Sequence, residues 1–365
     1  MYGAEMSFVQ NYSSIDKLLH HLSFSVPATQ KILCDIENHL YQDELKLIAS
    51  KNEVFVTGLP RSGTTLLLEL LYKTDEFDTF SYRQMPFILS PLIWGKISRF
   101  FSKKAEKVER AHGDGMEVSF DSPEAFEEVI WLTFLKDRYV KQDKLEPLVA
   151  ANTTKLFAKN IQLTIKKLLH SFSQDDQIKR YISKNNANCS RLKLLSQLFP
   201  SATILVPFRD PLAHIGSLMK QHQQFNEMHN EDSFSRNYMR WLGHYDFGQN
   251  FKPIDFDKWL DAYDGKPDYD DENFWMLYWC SAYEHILNNI TDNTYLVDFD
   301  KLLSSPSASL SSISKCVTLS DESKLTDLSK EIRSPTSQAK KSSCIRSDLL
   351  ARADELHKKL KEVAI

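Results

Sequence analysis

Residues 54 to 72 read VFVTGLPRSGTTLLLELLY. A short apolar run, residues 54 to 57, ends at a glycine, and residues 64 to 73 then take helical spacing, which predicts strand, tight turn and helix. Gly58 and Gly63 stand at the spacing of a nucleoside triphosphate loop, GxxxxGK[ST], in which a lysine serves the β- and γ-phosphates and a hydroxyl serves magnesium. Here Thr64 occupies the lysine position and Thr65 the hydroxyl position. What remains is a run of backbone N–H groups at a helix start, the hydroxyls of Ser62, Thr64 and Thr65, and the charge of Arg61. That set suits one phosphate group, as on a nucleoside monophosphate, better than a metal-bound triphosphate.

A second unit, SATILVPFRDPLAHIGSLMKQH, predicts a buried strand at 202 to 208, a proline turn, and a helix to about 222. Arg209 ends the strand and Ser217 lies eight residues on, so a helix start can aim both at the C-terminal edge of a sheet, where open α/β sheets bind ligands. An arginine and a hydroxyl there can hold a second phosphate. A third run, TYLVDFDKLLSS, is again strand then helix. Strands alternating with helices predict an α/β fold, a P-loop-like parallel sheet flanked by helices.

Around this frame, spacing predicts two amphipathic helices between Ser14 and Leu47, within an N-terminal region of residues 1–50. Residues 86–182 read as a large helical insertion. Within it, DSPEAFEEVIW signals a helix start, with Asp121 or Ser122 as cap, Pro123 in the first turn and Glu124 at the positive end. Residues 246–272 mix acids, aromatics, Gly and Pro and read as a long, solvated connection rather than a cover for an acceptor site.

The 365 residues would allow about two domains of roughly 150 residues each, but inserted single α/β domains reach this size, and we read residues 1–365 as one. Hydrophobic residues at 42% and charged residues at 26% describe a globular chain. A net charge of -4 argues against nucleic acid as a partner and leaves room only for a local anion pocket. Five isolated cysteines, with no CxxC pair, predict neither a zinc site nor a disulfide framework and suit a reducing, cytoplasmic setting. No run of 18 or so apolar residues predicts a membrane span.

Together these motifs resemble the sulfotransferases that use 3'-phosphoadenosine 5'-phosphosulfate (PAPS). GLPRSGTTLL is similar to their 5'-phosphosulfate loop and FRDPLAHIGS to their 3'-phosphate motif, in the family's order. YISKNNANCSRLKLLSQLFPSATILVPFRDP is similar to the segment before that motif, and clear likeness covers roughly a third of the chain. The bacterial type with a PRSGTT loop and a helical insert is the nearest pattern. The resemblance implies that Arg61, Ser62, Gly63, Thr64 and Thr65 bind the 5'-phosphosulfate end and that Arg209 and Ser217 hold the 3'-phosphate. It implies that Lys184 lies near the transferred group, which fixed N–H, Arg and Lys donors can stabilise without a metal. The acceptor would be a hydroxyl or amine of a small molecule or glycan. Lys340 and Lys341, in RSPTSQAKKSS, sit where the family often has a basic loop over the nucleotide, though an exposed charge pair is the simpler expectation.

The acceptor must lose a proton, and here the sequence departs from the family. Asn186 stands where the cytosolic branch has a histidine, and SYRQMPF, with Arg83 and Gln84, stands where the tyrosyl branch has a glutamate. The candidate base is His112, flanked by Gly113 and Gly115 and near Asp114 as an orienting carboxylate. Asp114, Glu127 and Glu128 are alternatives, the two glutamates being expected to face solvent unless one turns inward. Two rivals stay open: a small-molecule or nucleotide kinase on the same sheet, and a protein that binds the nucleotide without turnover.

Overall fold

Our computed structural model describes residues 14–98, 108–109, 117–118, 126–172, 179–263, 265–332 and 344–365. Before the sheet come α1 (Ser14–Ser25), α2 (Pro27–Leu40) and α3 (Gln42–Leu47), three helices where spacing predicted two. Pro27 opens α2, where a missing N–H costs nothing, and the extra break falls at Tyr41, whose N–H closes α2 on the Glu37 carbonyl. Then follow β1 (Val54–Val56), α4 (Thr64–Tyr72), β2 (Phe77–Asp78), α5 (Pro91–Ser98), β3 (Val108–Glu109), β4 (Glu117–Val118), α6 (Glu128–Tyr139) and α7 (Lys155–Phe172). The second half holds β5 (Arg180–Lys184), α8 (Leu192–Leu198), β6 (Thr203–Phe208), α9 (Pro211–Glu231), α10 (Ser233–Leu242) and α11 (Glu272–Asn288). It ends with β7 (Thr294–Asp298), α12 (Phe299–Ser304), α13 (Pro306–Val317), α14 (Glu322–Thr326) and α15 (Ser347–Val363).

Five strands form one sheet in the order β2-β5-β1-β6-β7, and each recorded pairing is parallel. This is the predicted α/β architecture. Alternation along the strands divides the core. Phe55, Tyr181, Ile204 and Val206 belong to a large cluster that includes Trp131 of α6, Leu168 of α7 and Trp279 of α11. Val54, Val56, Ile182 and Leu205 belong to another with Leu67 of α4 and Leu310 of α13. A strand buried on both faces has no polar side to alternate with, which is why β1 and β6 read as unbroken apolar runs.

Four expectations need correction. The 86–182 region supplies α5, α6 and α7, but it also contains the antiparallel β3–β4 pair and the start of β5. The helix expected to open at Asp121 or Ser122 begins instead at Glu128, with Phe126 and Glu127 before it and no side-chain cap bond; Asp121 to Glu124 lie outside the described residues. The 246–272 segment is a solvated connection only in its second half, where the described residues from 257 to 272 are exposed or half-buried. Its Phe247, Phe251, Ile254 and Phe256 are buried, and Leu145 N–H donates to Pro253 O at 3.0 Å while Asp255 N–H donates to Leu145 O at 2.8 Å. α9 also runs to Glu231 rather than 222, because Phe225 and His229 keep its buried stripe going. Among the described residues, no helix is long and apolar enough to cross a membrane.

Candidate active site

Three neighbouring strands, β5, β1 and β6, end at the same edge of the sheet. Val56 pairs with Lys184 on one side and Leu205 on the other, so the loop after β1 rises between the ends of β5 and β6. Thr57 N–H donates to Leu205 O at 2.9 Å, and Asn185 N–H donates to Val56 O at 3.0 Å. The loop is thus seated on both flanks before its first glycine.

The loop's shape demands Gly63. Its φ is +104°, and a Cβ placed there would lie 2.2 Å from Cδ2 of Phe299, the first residue of α12. Arg61 also takes a left-handed conformation, at φ +69°. It thereby points its guanidinium at α9, where Nε donates to Ser217 Oγ at 3.2 Å. Arg209 Nη1 donates back to the Arg61 carbonyl at 3.4 Å. The arginine and hydroxyl read from the second motif therefore meet the arginine read from the first.

Arg209 lies against the ring of Phe299, 5.6 Å from its centroid, and its Nε is buried with no hydrogen-bond partner among the described residues. Such a donor costs stability unless something accepts from it. An anionic oxygen of a ligand is the natural acceptor. α9 starts beside it with Asp210 as cap, whose Oδ1 accepts from Ala213 N–H at 2.8 Å.

His214, on the first turns of α9, was missed in the sequence although it sits inside FRDPLAHIGS. Its Nε2 donates to Pro60 O at 2.8 Å, and its Nδ1 accepts from Trp279 Nε1 at 3.2 Å. Both bonds need the neutral ring. Burial, then the nearby Arg209 charge, pushes its pKa down to about 3. It ties the phosphate loop to α9 and α11 without adding charge.

On the other flank, Thr64 Oγ1 donates to Asn186 Oδ1 at 3.3 Å, and Thr57 Oγ1 donates to Asn186 O at 3.3 Å. Asn186 opens a short 3-10 turn, Asn186–Ser190, and its Nδ2 donates to Asp246 Oδ2 at 2.9 Å. Lys184 is 8% exposed at the end of β5, Ser62 and Thr64 are buried, and Thr65 is half-buried in the first turn of α4.

Glu127 and Glu128 do not face solvent; they are 1% and 3% exposed. Glu127 accepts from Ser183 Oγ, from Trp131 Nε1 at 3.0 Å, and from Asn188 Nδ2 at 2.9 Å. Glu128 accepts from Tyr139 Oη, from Arg191 Nη2, and from Asn185 Nδ2 at 2.7 Å. Burial raises the Glu128 pKa, with Arg191 opposing the rise. Their oxygens are committed to holding the 185–191 turn, a positioning role rather than that of a base open to an acceptor. The only signal for this was in the donors, the Asn-rich KNNANCSR, not in the acids themselves. Arg83 is exposed, while His112, Asp114, Lys340 and Lys341 lie outside the described residues.

A parallel sheet whose central strand feeds a glycine turn, with arginines from two neighbouring strand ends converging there, defines an α/β protein with a positively charged sheet edge. The model described as the sulfotransferase family matches residues 53–322, and the chain belongs to that family. Among solved structures, the sulfotransferase STF9 from Mycobacterium avium has a TM-score of 0.53 at 12% identity, covering 97% of this chain and 88% of its own; this likeness concerns the fold. STF1 from Mycobacterium tuberculosis gives 0.47 at 13% identity, over 96% of this chain and 86% of its own. A sulfotransferase from Alicyclobacillus acidocaldarius gives 0.42 at 9% identity, over 86% and 96%. A search of curated proteins returns no significant match.

Proposed function

We propose that this sulfotransferase moves the sulfuryl group of PAPS to a hydroxyl or amine of a small molecule or glycan and releases adenosine 3',5'-bisphosphate. The contact between Arg61 and Ser217, 3.2 Å from Nε to Oγ, carries this reading. It makes one anion site out of two motifs that are far apart in sequence, so a ligand with two separated phosphate-type groups can bridge them. Arg61, Ser62, Gly63, Thr64 and Thr65 form the cradle for the 5'-phosphosulfate end. Arg209, with its buried and uncommitted Nε, and Ser217 receive the 3'-phosphate.

Sulfuryl transfer moves a less charged group than phosphoryl transfer, and donors already aimed at the reacting oxygens can stabilise its transition state. Lys184, beside the loop at the end of β5, supplies one such donor. We propose that the reaction proceeds without a metal ion. Five isolated cysteines with no CxxC pair support a reducing and cytoplasmic setting.

Calorimetry with the intact chain tests the reading. Adenosine 3',5'-bisphosphate should bind more tightly than AMP by about 10-fold to 100-fold, the worth of charge-assisted hydrogen bonds to one phosphate. Arg209→Ala should erase that preference and leave AMP affinity nearly unchanged. Equal affinity of the wild type for the two nucleotides would sink the assignment. Transfer from PAPS should also persist in EDTA; strict dependence on magnesium and ATP would instead favour the kinase.

A further inference from the structure

Asp246 lies between Tyr245 and Phe247, which are 4% and 3% exposed. With both neighbours locked into the core, the intervening residue has to present its side chain away from them. It reaches Asn186, whose Nδ2 donates to Asp246 Oδ2 at 2.9 Å and whose Oδ1 accepts from Thr64 Oγ1 at 3.3 Å. One amide therefore separates this carboxylate from the wall of the phosphate loop. Asp246 is half-buried, and among the described residues its Oδ1 accepts no hydrogen bond and no cation pairs with it.

The segment that carries it is rigid. Gly248 has φ +68°, and a Cβ there would meet His229 Nδ1 at 2.6 Å. Gly248 N–H donates to His222 Nδ1 at 3.3 Å, and Gln249 N–H donates to His229 Nδ1 at 3.2 Å. Both histidines belong to α9, the helix that also bears Ser217. The carboxylate is thus fixed relative to the same helix and the same loop that hold the co-substrate in the reading above. Glu127 and Glu128, by contrast, have their oxygens engaged by internal donors.

We infer that Asp246 is the general base, taking the proton of the acceptor as its oxygen or nitrogen attacks sulfur. This inference rests on the proposed PAPS-dependent transfer. The acceptor's lone pair forms the new bond to sulfur, the bond between sulfur and the phosphate oxygen breaks, and its electrons leave with adenosine 3',5'-bisphosphate. The acceptor's proton passes to the Asp246 carboxylate and then to solvent. Asn186 orients the carboxylate, and through Thr64 it couples that orientation to the loop.

Asp246→Asn separates this role from a structural one, since its amide oxygen still accepts from Asn186 Nδ2 while its basicity is gone. The assay uses PAPS labelled in the sulfuryl group, with water and with a series of phenols of graded acidity as acceptors, so no natural acceptor need be known. Asp246→Asn is expected to bind adenosine 3',5'-bisphosphate within twofold of wild type. Its turnover with weakly acidic phenols should fall by about 10²-fold to 10⁴-fold, the usual worth of a general base. The fall should shrink for the most acidic phenol, which ionises unaided, and Asp246→Glu should recover part of the activity. Turnover within threefold of wild type across the series overturns the proposal. So does a wild type that binds adenosine 3',5'-bisphosphate yet transfers sulfuryl to none of these acceptors. A wild type that does not bind the bisphosphate overturns the co-substrate reading instead, and the two failures are told apart by the binding measurement alone.

Discussion

At the scale of single residues, the loop after β1 turns on two positions. Thr64 in place of lysine removes the triphosphate grip, and Gly63 fixes the backbone that aims Arg61 at Ser217. Gly63→Ala should therefore do two things. With φ at +104° and Phe299 2.2 Å from the new Cβ, it should cost about 2 kcal/mol or more in urea unfolding. By displacing Arg61 it should also weaken binding of adenosine 3',5'-bisphosphate in calorimetry. A variant within about 0.5 kcal/mol of wild type and with unchanged affinity, the range of an ordinary surface substitution, would show that the loop does not need this conformation. That Arg61, Arg209 and Ser217 come together was legible because two strand-turn-helix motifs, read as a pair, aim them at one sheet edge. His214 was not, since a histidine inside a helix start has no spacing that announces one bond to a loop carbonyl and another from a distant indole.

Among the elements, strand and helix order was legible wherever a strand is buried on both faces, as for β1, β6 and β7. It failed where partners are distant in sequence. β5 was absorbed into a helical region, and the 246–272 segment looked solvated because its polar composition conceals buried Phe247, Phe251 and Phe256. The start of α6 illustrates the same limit. Its two glutamates have the position of exposed first-turn acids, yet they hold the 185–191 turn from below β5. Arg191 is sandwiched there, its guanidinium 3.9 Å from the Trp131 ring centroid and bonded to Glu128. Glu128→Gln would leave that cation buried without its counter-charge, which should cost about 3–5 kcal/mol in chemical denaturation. Because Asn185 loses part of its anchor, the turn bearing Asn186 should loosen as well, and PAPS turnover should drop. A stability change under about 1 kcal/mol would mean that the pair is not closed as described.

For the molecule as a whole, the site is a junction: the loop after β1, the start of α9 and the middle of α11 meet at His214. The resulting dependence of global stability on pH has a definite sign. Burial pushes His214 from 6.5 down to about 3, and it pushes His222 and His229 down to about 4. Between pH 6.5 and about 4 the unfolded chain binds protons at these positions that the native chain refuses, so stability is intact above 6.5 and is lost as pH falls through this window. Burial raises the pKa of Glu37 and Glu128, which works in the opposite direction on acidification and blurs the wild-type curve. A difference measurement isolates the histidine. His214→Gln keeps an N–H donor for the Pro60 carbonyl and an oxygen within the same pocket, but it does not titrate. The wild type should lose stability on acidification more steeply than the variant, by at most about 1.4 kcal/mol per pH unit for this one group. Urea unfolding at intervals from pH 7.5 to 4 would therefore show the gap between the two proteins closing as pH falls. Parallel curves would mean that His214 takes up a proton in the native state, and that the neutral tether between the phosphate loop and Trp279 does not exist.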